Sequence, residues 1–526
     1  MFLSLRKLKL SISWLVLLPF IFVNTNTVAQ TEPSNQTLSG DRLNGQKQAQ
    51  RNSRTPVFSG QRVREEAVVP QGNGEVIRDI EVVFVNEDGN LVEGKTKPRI
   101  ITQEFALQPG DLYDADIARE GLEGVLDLVI VNRASLSLED TSPGETVMTI
   151  AVQENSNLSI GFGLTLPPPT ALQGPVRPVT VQALSDSPNG FDVGVRAGLL
   201  NIGGVNQGIN LGIEGGENTF GFDLGYRKFL RSDRGFGVNF FNRRGVEAEF
   251  DDGDPDINLD NDNDPYVHRL GGGVEYFFPI ANDWKNAIGV SYQKVSVRDG
   301  LFSDNIESTD ALGNRLTVSD SGRDDLLTLN FATVLNREDN PRNPTRGYKF
   351  QFGSDLYFPV GEADIFANRL AANYTQYLPV PLFGFTEGPK TLVLNIQGGT
   401  ILGDAAPYEA FLLGGSSSVR GYDTSEISTS RSFVQGTVEY RYPISTFTAF
   451  NNNIDLGGTF FVDYANDLGS ADAVIGEPGV VRDRTGDGLG YGLGLRAITP
   501  IGAVRTEFAL NDDGDTKFIF AVGDRF

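Results

Sequence analysis

One arginine near the end of the chain has the surroundings for electrostatic rather than catalytic chemistry. It stands in the sequence Val419-Arg420-Gly421-Tyr422, directly after the small-residue run 414–418. A guanidinium carries a permanent charge and a planar fork of donors that matches a carboxylate. A buried arginine needs an acidic partner, and Asp463 and Glu439 are the nearby candidates. We expect Arg420 to pair mainly with Asp463, with Glu439 close by; the alternative is an exposed loop arginine.

The rest of the chain lacks the residues of an enzyme. It has no cysteine and one histidine, His268, so the usual metal ligands and general base are nearly missing. There is no Gly-x-Ser-x-Gly elbow. The net charge of -24 argues against nucleic acid as a partner, because phosphate binding needs clustered Lys and Arg. We expect no enzymatic activity, no cofactor and no nucleic-acid partner.

An acidic run occupies residues 251–264. It lacks the glycine and the distal glutamate of a calcium-binding loop. The run predicts a solvated loop and no metal site, with binding of a divalent cation left open as the alternative. Its closely spaced carboxylates are those of Asp254, Asp256, Asp260, Asp262 and Asp264.

The first 74 residues are predicted to lie outside any folded core. Residues 1–29 have a basic start, an apolar run at 10–23 and a small-residue cleavage site, which are the features of a signal peptide. The apolar run is shorter than the roughly 20 residues of a spanning helix. Residues 30–74 are rich in Gln, Asn, Ser and Arg, which predicts a disordered polar linker. A segment that orders on a partner is the alternative.

Residues 75–155 predict one small α+β domain. Residues 76–85 form a β-branched run typical of a strand, and residues 114–126 place apolar residues on one helical face. Residues 99–107 have mixed helical spacing, and two alternating segments at 128–138 and 146–152 predict paired strands. The resulting order is β-α-α-β-β.

From residue 156 to 526 the chain changes to short segments of alternating apolar and polar residues. Their length of about ten residues is that of a tilted membrane strand, and the region has room for about sixteen of them. The 61 glycines and 35 phenylalanines suit tight turns and aromatic girdles. We predict an all-β transmembrane barrel of about 16 antiparallel strands, the first near 158–164 and the last at 516–526. A soluble β-rich secreted protein is the alternative.

The second half of this region contains a series of motifs in a fixed order. They are 340–348 (a Pro-x-Arg-Gly turn), 408–415 with 419–422 (a glycine-rich loop), 436–443, 461–465 (with Ala465 in place of a glycine), 492–502 and 523–526. In this order they resemble the motifs of the BamA/TamA superfamily of outer-membrane assembly and secretion barrels, in which 408–422 corresponds to the signature loop. The β-α-α-β-β domain is similar to a polypeptide-transport-associated (POTRA) domain, although Leu126-Asp127-Leu128 stands where that family usually has Gly-x-Phe.

The resemblance implies a lumen loop formed by Val419, Arg420, Gly421 and Tyr422, with glycines that let its backbone approach the barrel wall. It also implies that Gly523 and Phe526 belong to a closing-strand signal read during barrel insertion. Phe526 as the last residue of an aromatic girdle is a compatible interpretation.

For function, the resemblance implies an outer-membrane assembly factor whose periplasmic POTRA-like domain receives unfolded polypeptides and whose barrel inserts β-barrel proteins. Two alternatives remain: a two-partner-secretion type pore that exports one polypeptide, and a passive porin-like channel. Expected partners are unfolded outer-membrane or secreted polypeptides and outer-membrane lipid, with room for accessory assembly proteins. The expected location is a bacterial outer membrane, with the N-terminal domain in the periplasm.

Overall fold

The computed structural model consists of a small α+β domain followed by a large antiparallel sheet that curves into a barrel. It describes residues 67–72, 74–163, 192–216, 218–251, 257–340, 343–382, 387–449, 452–499 and 502–526. The predicted signal peptide and most of the predicted linker lie outside these residues.

The α+β domain has two helices on one four-stranded sheet. Its strands pair in the order β2-β1-β4-β3, with β1 and β4 parallel. The second helix begins after Asp114, whose side chain accepts hydrogen bonds from the main-chain nitrogens of Asp116 and Ile117 and so caps the first turn. The elements are β1 (Val76–Val85), β2 (Leu91–Val92), α1 (Pro98–Thr102), α2 (Ala115–Asp127), β3 (Val131–Ser142) and β4 (Glu145–Glu154).

This domain is longer at its start than the sequence predicted. Ala67 and Val69 are buried in the domain core, and the hydroxyl of Tyr113 donates to the main-chain oxygen of Pro70 at 2.8 Å. Residues 67–70, which the sequence analysis placed in the linker, therefore belong to this domain, because their apolar side chains are part of its core. The short strand β2 was also missed, since two residues are too few to show alternation.

Within the described residues the barrel has sixteen paired strands, the number predicted from the length of the region. A separate hairpin, β16 and β17, lies in the connection between β15 and β18. The elements are β5 (Leu158–Gly163), β6 (Asp192–Leu199), β7 (Gln207–Gly216), β8 (Thr219–Phe229), β9 (Gly235–Val246), β10 (Tyr266–Ala281), β11 (Trp284–Arg298), β12 (Arg323–Asn336), β13 (Gly347–Phe358), β14 (Ala367–Pro379), β15 (Thr391–Gly403), β16 (Phe411–Leu413), β17 (Ser428–Ser430), β18 (Ser432–Ala449), β19 (Asn452–Asn466), β20 (Asp487–Thr499), β21 (Gly502–Asn511) and β22 (Thr516–Val522).

Every neighbouring pair in this sheet is antiparallel, and the order follows the chain apart from the hairpin. Strands β5 and β22 are the two ends of the sheet, and within the described residues no ladder joins them. The last strand stops at Val522, four residues before the predicted end, because Gly523 turns the backbone with a φ of +117°.

Side chains alternate across the barrel wall as a membrane strand requires. In β9, Phe236, Val238 and Phe240 are exposed, whereas Asn239 and Phe241 between and after them are buried. The same alternation exposes Tyr491, Leu493 and Leu495 in β20. The outward face is therefore apolar. No helix among the residues described is long and apolar enough to cross a membrane.

The α+β domain rests against two turns at one end of the barrel. The side-chain nitrogen of Asn201 donates to Thr96 Oγ1 at 2.7 Å, and the main-chain nitrogen of Lys97 donates to the oxygen of Gly204 at 2.9 Å. The Ser232 hydroxyl donates to Glu104 at 3.0 Å, and burial raises the pKa of that carboxyl. These contacts hold the domain beneath strands β6 to β9.

The opposite end of the barrel is filled by packed loops. Arg482, which follows the short helix α3 (Pro478–Val481), donates to the main-chain oxygen of Ile257 at 2.8 Å. An apolar cluster joins loop residues from several connections. It includes Phe250, Leu259, Leu316, Ile365, Tyr408, Val419 and Ile427. We call this region the loop-end cluster.

Candidate functional site: a loop inside the barrel

Residues 414–422, here called the lumen loop, lie between the two strands of the β16–β17 hairpin and inside the barrel. The whole run from Gly414 to Tyr422 is buried apart from Ser417. The carboxylates that receive it lie on the inner wall. Asp463 in β19 is flanked by the outward-facing Val462 and Tyr464, and Glu507 in β21 precedes the outward-facing Phe508.

Arg420 is fully buried and contacts three carboxylates. Its Nε and Nη2 donate to the two oxygens of Asp463 at 2.8 and 3.0 Å, the bidentate arrangement that a guanidinium favours. Its Nη1 donates to Glu439 at 3.0 Å and to Glu507 at 2.9 Å. The structure thus brings together the arginine and both sequence-predicted partners, and adds Glu507.

The face of the guanidinium lies on an aromatic ring. The centre of the Arg420 guanidinium is 3.4 Å from the centroid of Phe461, two residues before Asp463 on the same face of β19. A cation over a buried ring gains further electrostatic stabilisation. All three guanidinium nitrogens and one face of Arg420 therefore have partners on β18, β19 and β21.

Glycines make room for the loop backbone at the wall. Gly421 has a φ of +109°, and a Cβ there would lie 2.9 Å from the carbonyl carbon of Leu510. A Cβ on Gly490, opposite Asp463 in the β19–β20 pair, would lie 1.9 Å from the main-chain oxygen of Arg420. A side chain at either position would therefore push the loop away from its carboxylates.

The other two members of the predicted motif fix the loop to its surroundings. Val419 is fully buried and belongs to the loop-end cluster. The hydroxyl of Tyr422 donates to a carboxylate oxygen of Asp512 in the connection between β21 and β22. Val419 and Tyr422 both pack in the loop-end cluster, and Tyr422 adds the hydrogen bond to Asp512.

A second layer of charged side chains extends the site toward the end of the barrel that carries the α+β domain. Glu439 also accepts from Arg441 Nε at 2.8 Å, and Glu507 accepts from Arg505 at 3.1 Å. Asp524 accepts from Arg441 at 3.1 Å and from Arg496 at 2.5 Å. Buried charges of both signs therefore alternate along the wall, which is how such groups are tolerated away from water.

The two residues predicted as a closing-strand signal lie outside β22. Gly523 forms the turn after the strand, and its main-chain nitrogen donates to Ala503 at 2.7 Å. The ring of Phe526 lies 5.8 Å from the guanidinium of Arg441, so it faces the charged layer rather than an aromatic girdle.

Sequence reasoning missed Glu507 and Arg525 as members of the site. Glu507 had a signal: it lies two residues from Arg505 in a strand-like segment, so both charges had to share one face. Arg525 had none, because the turn at Gly523 that redirects it depends on tertiary packing. In the described part of the chain, no group of three or more acidic, histidine or cysteine side chains is placed to hold a metal ion.

The fold and the site place this chain in the class of β-barrel proteins in which an arginine holds a loop against the inner wall. Comparison with known families identifies the family. The Omp85 superfamily domain matches residues 201–526, more than half of the chain. The chain therefore belongs to the Omp85 superfamily of outer-membrane β-barrel proteins.

Relatives and solved structures agree with this membership. The chain is 25% identical over 457 residues to Outer envelope protein 80, chloroplastic, of Arabidopsis thaliana, and covers 57% of that relative's length with 85% of its own. BamA from Haemophilus ducreyi lacking POTRA domains 1-3 aligns with 85% of this chain and 84% of its own at 14% identity and a TM-score of 0.58. CdiB from Acinetobacter baumannii aligns with 85% of this chain and 73% of its own at 13% identity and a TM-score of 0.51. At these identities the two structures support the barrel fold.

Proposed function

We propose that this chain is an outer-membrane assembly factor that receives unfolded polypeptides through its N-terminal domain and inserts β-barrel proteins into the membrane. The observation that carries the proposal is the lumen loop held by Arg420 on three inner-wall carboxylates. Those carboxylates lie on β18, β19 and β21, close to the sheet end formed by β22. Membership of the Omp85 superfamily supports it.

The N-terminal domain offers clients a sheet edge, as a POTRA-like domain would. Strands β2 and β3 are the edges of its sheet, and a client segment could add to such an edge by main-chain hydrogen bonds. The domain contacts the turns that follow β6 and β8, and β6 pairs directly with β5. A captured client would therefore be delivered beside the first strand of the barrel.

Insertion would follow at the sheet ends. Over the residues that the structure describes, strands β5 and β22 each pair with one neighbour, so the main-chain groups on their other side can template a new strand. A strand that enters a membrane must have all of its main-chain groups paired. Burial of apolar surface in lipid drives the step, so the proposed activity needs no nucleophile, cofactor or nucleotide.

The packing of the loop-end cluster favours release of a client polypeptide through the side of the barrel over its passage through the lumen. A polypeptide that crossed the lumen would have to displace buried side chains such as Phe250, Tyr408 and Val419. Exposing a large apolar side chain costs about 1.5–3 kcal/mol. The same packing disfavours a passive porin-like channel.

For location, we propose a bacterial outer membrane with the N-terminal domain in the periplasm. The basic start and short apolar run of residues 1–29 support export from a bacterial cytoplasm. The relative from Arabidopsis thaliana is named as a chloroplast outer envelope protein, so an organelle envelope is the location that competes with this proposal.

Conditional depletion in the native host, with quantitative proteomics of the outer membrane and the medium, tests the function. The proposal expects loss of many barrel proteins from the membrane. Loss of a single secreted protein, with other barrels intact, would instead identify a dedicated exporter. Unchanged protein levels would contradict both.

A further inference from the structure

The last four residues, Gly523–Phe526, turn into the barrel instead of extending β22; we call them the closing segment. The left-handed backbone of Gly523 makes the turn, and Arg505 Nε donates to its main-chain oxygen at 3.1 Å. A Cβ on Gly523 would meet nothing within 4 Å, so the φ of +117° is what favours glycine there.

Two charged side chains of the closing segment enter the site around Arg420. Arg525 is nearly fully buried, and its Nη1 donates to both oxygens of Asp463 at 3.0 and 2.9 Å. Its Nη2 donates to the main-chain oxygen of Ser418 in the lumen loop. Asp524 joins Arg441 and Arg496, as described above.

Asp463 is therefore shared between two separate parts of the chain. It accepts from Arg420 of the lumen loop and from Arg525 of the closing segment, and Thr437 Oγ1 donates to it at 2.8 Å. Two guanidinium groups this close repel each other unless a carboxylate lies between them. Without the charge of Asp463, both parts would lose the one carboxylate that they share.

The closing segment also determines the length of the free sheet end. β22 has seven residues, whereas the adjacent β21 has ten. Short edge strands and inward-pointing charges are the means by which proteins keep an open sheet edge from pairing. Because the closing segment turns into the lumen, β22 is a short edge strand and is followed by charges that point inward.

We propose that the closing segment is a latch that couples the lumen loop to the free edge of β22, with Asp463 as the shared positioning residue. While Arg525 occupies Asp463 and the Ser418 carbonyl, the loop is held and the edge is short. When the segment leaves, the loop loses its contact at the Ser418 carbonyl, Asp463 loses one of its two arginine partners, and β22 is free to lengthen. The proposal concerns motions within the chain and does not depend on which polypeptide is handled.

Hydrogen exchange with mass spectrometry on the full chain, folded in lipid nanodiscs without any client, tests the latch. The two reporting peptides cover residues 414–422 and 516–526. Arg525→Ala should speed exchange in both peptides by about tenfold or more, the scale expected when a buried pair loses a partner. Arg525→Lys should restore part of the protection, since it keeps the charge.

Asp463→Asn should loosen both peptides at least as much as Arg525→Ala. Arg315→Ala is the matched control, because Arg315 pairs with Asp320 at an exposed site and should change neither peptide. Faster exchange at 516–526 with unchanged exchange at 414–422 in Arg525→Ala would overturn the latch. So would no change in either peptide. Should Asp463→Asn fail to fold, the two Arg525 variants decide the question.

Discussion

Arg420 combines a high burial penalty with unusually complete compensation. Removing a charged group from water costs several kcal/mol, and only close partners with good geometry offset it. Here three carboxylates and the ring of Phe461 surround the guanidinium. Because the gain from pairing is offset by the cost of burying both the arginine and its carboxylates, the ion pairs fix the position of the loop more than they add to the net stability of the barrel.

Arg420→Ala should lower the free energy of unfolding by about 3–5 kcal/mol, the loss typical of breaking a buried ion pair. Asp463, Glu439 and Glu507 would be left crowded on the inner wall without their shared cation. Urea unfolding of the purified barrel in lipid vesicles measures the change. Arg315→Ala removes an exposed ion pair and should lower it by no more than about 1 kcal/mol. Equal losses in the two variants would contradict the arrangement.

The same geometry predicts that exchanging the charges of Arg420 and Asp463 does not rescue either single change. An aspartate at position 420 would face Glu439 and Glu507, and an arginine at 463 would face Arg525. A simple pair would be restored by the exchange. Unfolding of the double variant measured beside both single variants distinguishes a simple pair from the shared network.

Gly421→Ala should destabilise the barrel more than Gly514→Ala, although both glycines have a positive φ. The alanine Cβ at 421 would lie 2.9 Å from Leu510 backbone, whereas at 514 it meets nothing within 4 Å. The backbone strain of about 1–3 kcal/mol is common to both, so the difference reports the close approach of the loop. Urea midpoints compare them, and equal shifts would mean that the loop does not need the wall contact.

At the scale of elements, the strands of the barrel could be predicted because each alternates for about ten residues. The strand of residues 76–85 was predicted with its observed bounds, and β5 to within one residue. The end of β22 could not be predicted, since nothing local distinguishes Gly523 as a turn from a glycine within a strand. The carboxylate partners of Arg420 could be predicted, because a buried guanidinium needs acidic groups. The contact between Arg525 and Asp463 could not, because it depends on the turn at Gly523.

An arginine placed on the outward face of a strand should destabilise the barrel in a bilayer. Phe240 is an exposed aromatic in β9, and Leu312 is exposed in a connection at the loop end. Phe240→Arg should cost about 2–4 kcal/mol if position 240 lies near the middle of the membrane. Leu312→Arg should change the unfolding free energy by less than about 0.5 kcal/mol. The same loss for both variants in lipid vesicles would contradict the assignment of the outward face to lipid.

On the scale of the whole molecule, each end of the barrel has a distinct role. One end carries the α+β domain against the turns after β6 and β8, and the other is filled by the loop-end cluster. Between them, charged side chains connect the lumen loop to the closing segment. Under the proposed function, a client at the domain would thus be kept close to the sheet ends and away from a direct path through the lumen.

The most direct test of the account is assisted insertion by the purified chain. An unfolded outer-membrane barrel protein is added to lipid vesicles that contain this chain, the Arg420→Ala variant or no protein, and its folding is followed by the gel shift of the folded barrel. Folding should be faster with the chain than with empty vesicles, and most of that gain should be lost with Arg420→Ala. Folding at the rate of empty vesicles, with the chain itself correctly folded, would contradict it.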